Sequence, residues 1–184
     1  MKADIKLKTE QGNFKFRVGG VIIVDEKVLG VQICDNGFYC LPGGHVEIGC
    51  DTKEATLREL EEEVNGKFEI KSFMSIMECF FKRKDGKEFH ELGFYYLAEP
   101  KTKLRMENYT IIEKDKDEDV KLDFKWIPIN ELEQHDFRPK EIKEQILSGD
   151  FSFKHLIIRD WITKKEKRKE DKIWIKELVQ EALS

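Results

Sequence analysis

Residues 51 to 64 limit the fold more than any other stretch of this chain. They carry helical periodicity, with Leu57, Leu60 and Val64 on one side, and strand-forming sequence lies both before and after them. Asp51-Thr52 can cap the start, and Glu54, three residues after Asp51, suggests a capping box. Asn65-Gly66 tolerates the left-handed conformation that ends a helix. Upstream, Pro42-Gly43-Gly44 is strong punctuation, so residues 44 to 49 read as a loop feeding the helix.

The flanks read as strands. Residues 5–9 and 14–18 alternate around a Gln11-Gly12-Asn13 turn and form a hairpin. Residues 20–24 form a continuous β-branched run, as in a strand buried on both faces. Residues 28–34 follow a turn at Asp25-Glu26-Lys27. Residues 68–81 and 89–98 pair around a charged tip with Asp85-Gly86 at its turn. Residues 100–119 read as a long polar loop with a short strand at 109–112, and 123–127 as another strand. Pro128 and Pro139 each open a helix, the second stopped by Gly149. After a charge run at 164–172, Ile173, Ile175, Leu178, Val179 and Leu183 restore a helical pattern. The order predicts an α+β or mixed α/β domain over 1–150 and a C-terminal helical extension over 151–184. That extension would pack on the body or form a homodimer contact.

The formal net charge is −4, with 38% charged residues, which excludes an overall basic field for nucleic acid. Such a surface can still bind phosphates through metal ions. Cys34, Cys40, Cys50 and Cys79 form no CxxC pair and match no zinc spacing, so they read as small core residues with reduced thiols. The first ten residues lack an apolar leader, and no apolar run is long enough to span a bilayer. The expectation is a cytoplasmic protein.

On a helical projection, Glu59, Glu62 and Glu63 gather nearly opposite the leucines, with Arg58 one turn before Glu62. Such carboxylates repel one another by a few tenths of a kcal/mol per pair, about the helix-surface value. A hard cation such as Mg²⁺ or Mn²⁺ cancels that repulsion. A glutamate-rich face is more often simply solvated. The adjacent glycines shift the balance, because bare backbone at Gly43 and Gly44 can approach a metal or a phosphate.

From Gly44 to Glu63 the sequence resembles the Nudix box: Gly, five residues, Glu, seven residues, then Arg-Glu-hydrophobic-any-Glu-Glu. The resemblance extends from about Phe16 to the Trp126-Ile127-Pro128 segment. It implies a mixed β-sheet between helices, an α/β/α sandwich. It also implies hydrolysis of a diphosphate bond in a nucleoside diphosphate derivative, with Mg²⁺ or Mn²⁺ as cofactor and room for more than one ion. By carry-over Glu62 and Glu63 are metal ligands, Glu59 is a ligand or a base near the attacking water, and the Gly43 carbonyl completes the shell. Arg58 orients the carboxylates. Cys50 departs from the pattern, standing where the family has its first box Glu. A soft thiol cannot replace a carboxylate toward Mg²⁺. Arg58 must then find another partner, with Glu62 and Glu54 in reach.

The family often adds an acid from outside the box. Glu118 and Glu91 rank first, followed by Glu78 and Asp119. His90 could touch phosphate, or be an ordinary half-buried strand histidine. Phe80, Phe81 and Tyr95 could stack on a base or simply fill the core. Two other readings are a nucleotide-binding module that does not hydrolyse its ligand, favoured by Cys50, and removal of a 5′ diphosphate-linked end from RNA. The lysine-rich runs would serve the latter, but interleaved acids make nucleic acid the weaker partner.

Overall fold

The computed structural model describes residues 3–82, 86–114 and 119–159. Their order is β1 (Lys6–Lys8), β2 (Gly12–Val24), β3 (Lys27–Ile33), α1 (Thr52–Val64), β4 (Phe68–Lys82), β5 (Glu88–Pro100), β6 (Tyr109–Lys114), β7 (Asp119–Pro128), a 3₁₀ turn (Ile129–Gln134), α2 (Lys140–Ser148) and β8 (Lys154–Arg159). The strands form one mixed sheet in the order β6-β7-β3-β2-β5-β4-β8, with β1 beside β2.

Alternation along β2 sends its two side-chain sets to opposite faces of the sheet. Ile22 joins Leu60 and Val64 of α1, with Leu29, Phe68 and Phe124, in one core. Val21 joins Met74, Met77 and Tyr95 with Leu132 of the 3₁₀ turn, Phe137 of the segment after it, and Ile142 and Ile146 of α2 in the other. The sheet therefore lies between helices. Gly20 marks where α1 rests, since a Cβ there would strike the Leu60 side chain.

The hairpin expected at residues 5–18 is present as β1 and the start of β2, with Leu7 opposite Phe14. Beyond it β2 runs unbroken through the two stretches that read as separate strands, and pairs in parallel with β5 from Gly12 to Ile22. The segment opened by Pro128 is a single 3₁₀ stretch rather than an α-helix, and only Leu132 of it is buried. Residues 154–159 correct the expectation of a helical extension from residue 151. They form β8, parallel to β4 from Ser75 to Phe80, with alternating exposure. The hydrophobics Leu156 and Ile158 pack on the core with α2, and the two-residue period decides for a strand. The charge run at 164–172, the helical pattern from Ile173 onward, Arg83, Lys84, Asp85 and Glu118 lie outside the described residues.

Candidate active site

The site is built from α1 and the loop that precedes it. Asp51 caps α1, accepting from the Glu54 amide at 2.8 Å, and the Glu54 carboxylate reaches back to the Asp51 amide. Asn65 ends the helix in the left-handed conformation. The loop is bound to the sheet edge. The Val18 amide donates to the Gly44 carbonyl, the Gly20 amide to the Pro42 carbonyl, and the Val46 amide to the Phe16 carbonyl. The backbone itself demands glycine at 43, whereas at 44 it is the Glu59 carboxyl that occupies the space. A Cβ on Gly43, whose φ is +143°, would strike the Val18 carbonyl, and a Cβ on Gly44 would fall on the Glu59 carboxyl group.

The carboxylates divide differently from the projection. Glu59 and Glu63 lie in the buried stripe of α1 with Ala55, Thr56, Leu60 and Val64, at 8% and 9% exposure. Glu62 points outward, its side chain 61% exposed. Glu63 Oε2 accepts from the Gly43 amide at 3.0 Å. Burial, then the neighbouring Glu59, push the Glu63 carboxyl up to about 8. Burial also raises Glu59, against the pull of Arg58. Glu113 of β6 adds repulsion to both, an acid that reading the sequence did not single out.

Arg58 answers the question raised by Cys50. Its Nη2 donates to Glu59 Oε1 at 2.6 Å and to the His45 carbonyl at 3.1 Å, and its Nη1 donates to Glu62 Oε2 at 3.1 Å. Glu47 Oε2 stands 3.9 Å from Nε. Glu54 is not a partner. It serves the capping box and lies 3.7 Å from the Cys50 thiol. Glu47, in the loop, had not been singled out. A trough of about 460 Å³ along the outer side of α1 includes Arg58 and Glu62 but neither buried glutamate.

The other candidates scatter. Glu91 stands opposite Lys15 and Cys79 on the sheet face that carries Arg17. Glu78 faces the other way and contacts His155 at 2.7 Å. Asp119 is exposed at the start of β7. His90 stacks on Phe80 at 4.3 Å and meets the edge of Phe14, and Phe81 stacks on Phe89. Tyr95 is buried, its ring beside Gly19 and Gly93.

Among the described residues no three His, Cys, Asp or Glu side chains converge closely enough to hold a metal ion. The donor set nevertheless fits a hard divalent cation. Two buried carboxylates crowd each other against bare backbone, and Arg58 now supplies the positive charge for Glu59 and Glu62.

The NUDIX domain family model matches residues 14–146. The chain belongs to the Nudix family. Solved structures share this Nudix fold at low identity. A UDP-X diphosphatase aligns with a TM-score of 0.53 and 20% identity, over 77% of this chain and 66% of that one. An ADP-ribose pyrophosphatase from Streptococcus suis aligns at 0.51 and 16%, over 78% and 98%. A MutT protein from Bacillus halodurans aligns at 0.52 and 17%, over 79% and 91%. No curated protein matches the sequence. Among the described residues no helix is long and apolar enough to cross a membrane.

Proposed function

We propose that this Nudix chain is a metal-dependent pyrophosphohydrolase that cleaves the diphosphate bond of a nucleotide or nucleotide-sugar derivative. One observation carries the reading: Glu59 and Glu63 are buried side by side against the Gly43-Gly44 backbone, a crowded carboxyl pair whose joint ionisation burial opposes and a bound cation would favour. The names of its structural neighbours, a UDP-X diphosphatase and an ADP-ribose pyrophosphatase, point to the same substrate class.

Bound Mg²⁺ or Mn²⁺, as one ion or more, would supply charge neutralisation and an acidified water. Glu62 and Glu63, with Glu59 and the Gly43 carbonyl, are the residues that would hold it. Glu62 is the exposed arm and Glu63 the buried one, fixed by the Gly43 amide. Arg58 keeps Glu59 and Glu62 in register from the helix side. A water oxygen bonds to phosphorus, the bridging P–O bond breaks, and the bridging oxygen leaves with its electron pair on a phosphate. The water's proton passes to a nearby carboxylate, with Glu59 as the described acceptor beside the loop.

The test is a substrate panel with Mg²⁺ or Mn²⁺: nucleoside triphosphates and their oxidised forms, ADP-ribose, nucleotide sugars, dinucleoside polyphosphates and capped RNA. Turnover of a diphosphate derivative that is abolished by Glu62→Gln with Glu63→Gln is the expected result. Binding of a nucleotide without turnover would favour the non-hydrolysing module. Turnover that survives the double substitution would remove these residues from the site.

A further inference from the structure

One face of the sheet is only partly covered by helix. α1 lies over Gly20 and Ile22, and its first turn reaches Tyr96, whose phenol meets the Thr52 hydroxyl at 2.7 Å. Toward the start of β2 the same face continues through Phe94, Leu92, Phe80 and Phe14, with no helix above it among the described residues. Those positions are apolar and half-buried, where a sheet facing water alternates to polar residues. Leu7 of β1 stands opposite Phe14 and Ile157 of β8 opposite Glu78, and both are more than half exposed. So is Phe153, whose ring meets Phe73 at 5.1 Å in a cluster that runs on to Phe94 and Tyr96. An exposed apolar surface that reaches from β1 to β8 marks a place where something docks.

The chain itself points to the occupant. β8 forms the sheet edge beside β4, and the guanidinium of Arg159, its last residue, lies over the Phe80 ring at 4.9 Å. The described chain thus ends at the margin of this face, with residues 160–184 still to follow. Within them Ile175, Leu178, Val179, Ala182 and Leu183 share one stripe at helical spacing, and Lys176, Glu177, Gln180 and Glu181 lie off it. A helix over 173–183 would be roughly 16 Å long, which fits the length of about 23 Å along β4 from Phe73 to Phe80. A helix that short is marginal in water and needs an apolar partner. The stretch from Asp160 to Lys172 can span roughly 40 Å when extended, enough to return from the sheet edge. A tethered segment has an effective concentration on the order of millimolar, against which a second copy of the chain competes poorly.

We propose that residues 173–183 form an amphipathic helix that docks on this face of their own sheet, its apolar stripe packed against Ile157, Phe153 and the half-buried rings beside them. The docked helix also covers the margin of β8, an edge that would otherwise template pairing with another chain.

The experiment is amide hydrogen exchange read by mass spectrometry on the full chain, with a synthetic peptide of residues 160–184 as the undocked reference. In wild type the amides of 174–183 should exchange at least about tenfold more slowly than in the peptide, and equally slowly after dilution. Ile157→Asp puts a charge on the face at an exposed position and should return those amides to about the peptide rate. Leu178→Asp, on the stripe itself, should do the same. Ile112→Asp, as exposed but on β6 at the other edge of the sheet, should leave the protection as it is. Should Ile157→Asp fail to fold, Phe153→Asp decides by the same reading. Exchange at the peptide rate in wild type would overturn the proposal. Protection that survives both Ile157→Asp and Phe153→Asp would overturn it as well, because the segment would then dock elsewhere. Protection lost on dilution, with a dimer seen by sedimentation at the higher concentration, would make a second copy the occupant and overturn the intramolecular assignment.

Discussion

Replacing Glu63 with glutamine should make the metal-free protein more stable at alkaline pH, by an amount that follows from its surroundings. The Glu63 carboxyl titrates at about 8 in the folded chain and at the ordinary 4.5 when unfolded, because burial and Glu59 disfavour its charge. Below pH 4.5 both states hold the proton and nothing is lost. Between 4.5 and 8 only the folded state holds it, so stability falls with rising pH by about 1.4 kcal/mol per pH unit. Above 8 the slope from this group vanishes. The accumulated difference is on the order of 5 kcal/mol, or roughly 10–20 °C in Tm for a domain of this size. Glutamine keeps the shape and the acceptor for the Gly43 amide and has no charge to bury. Thermal unfolding in chelator, from pH 5 to pH 9, reads the effect directly. Wild type should lose Tm with rising pH and Glu63→Gln should lose much less, with added Mg²⁺ restoring wild type at pH 8 more than the variant. Superimposable Tm curves for the two proteins would refute the argument, because Glu63 would then be no costlier folded than unfolded.

Four further substitutions test the same site. Cys50→Glu should leave kcat/KM nearly unchanged, since Glu59, Glu62 and Glu47 already surround Arg58; a large gain in steady-state turnover would show that they do not suffice. Arg58→Met should cost about 2 kcal/mol in urea unfolding by removing the hydrogen bonds to Glu59 and Glu62, and a change within error would mean those bonds are negligible in solution. Gly44→Ala should displace the Glu59 carboxyl and weaken Mn²⁺ binding, as read by electron paramagnetic resonance, while Asp51→Ala costs about 1 kcal/mol as a lost cap and leaves Mn²⁺ affinity intact.

Much of this arrangement could be read locally. The Asp51–Glu54 box and the Asn65 cap depend on residues close together in sequence, so spacing was enough to place α1. What escaped depends on partners distant in sequence. The projection set Glu59 and Glu63 opposite Leu57 and Leu60, but the buried stripe is centred by Ala55 and Thr56, small residues that carry little weight in a hydrophobic pattern. Arg17 alternates with Phe16 and Val18, which suggests solvent on its side. The second core, built by α2 and the 3₁₀ turn more than a hundred residues later, covers that face instead. Residues 154–159 carry a two-residue period, but their place in the sheet depends on the edge that β4 offers, which lies about eighty residues earlier, the separation of Ser75 and Lys154.

The second edge of β2 is shared in turn by β1, the loop from Pro42 to Val46, and β3. Gly44 is thereby part of the sheet's hydrogen-bond ladder, although it belongs to no strand, and Gly43 is held between the ladder bonds of Pro42 and Gly44. In amide hydrogen exchange the Val18, Gly20 and Val46 protons should open with the sheet rather than with the surface turns. A ligand arriving here meets a socket that is already set. The ordering entropy that a mobile loop would lose on binding has been spent when the chain folds.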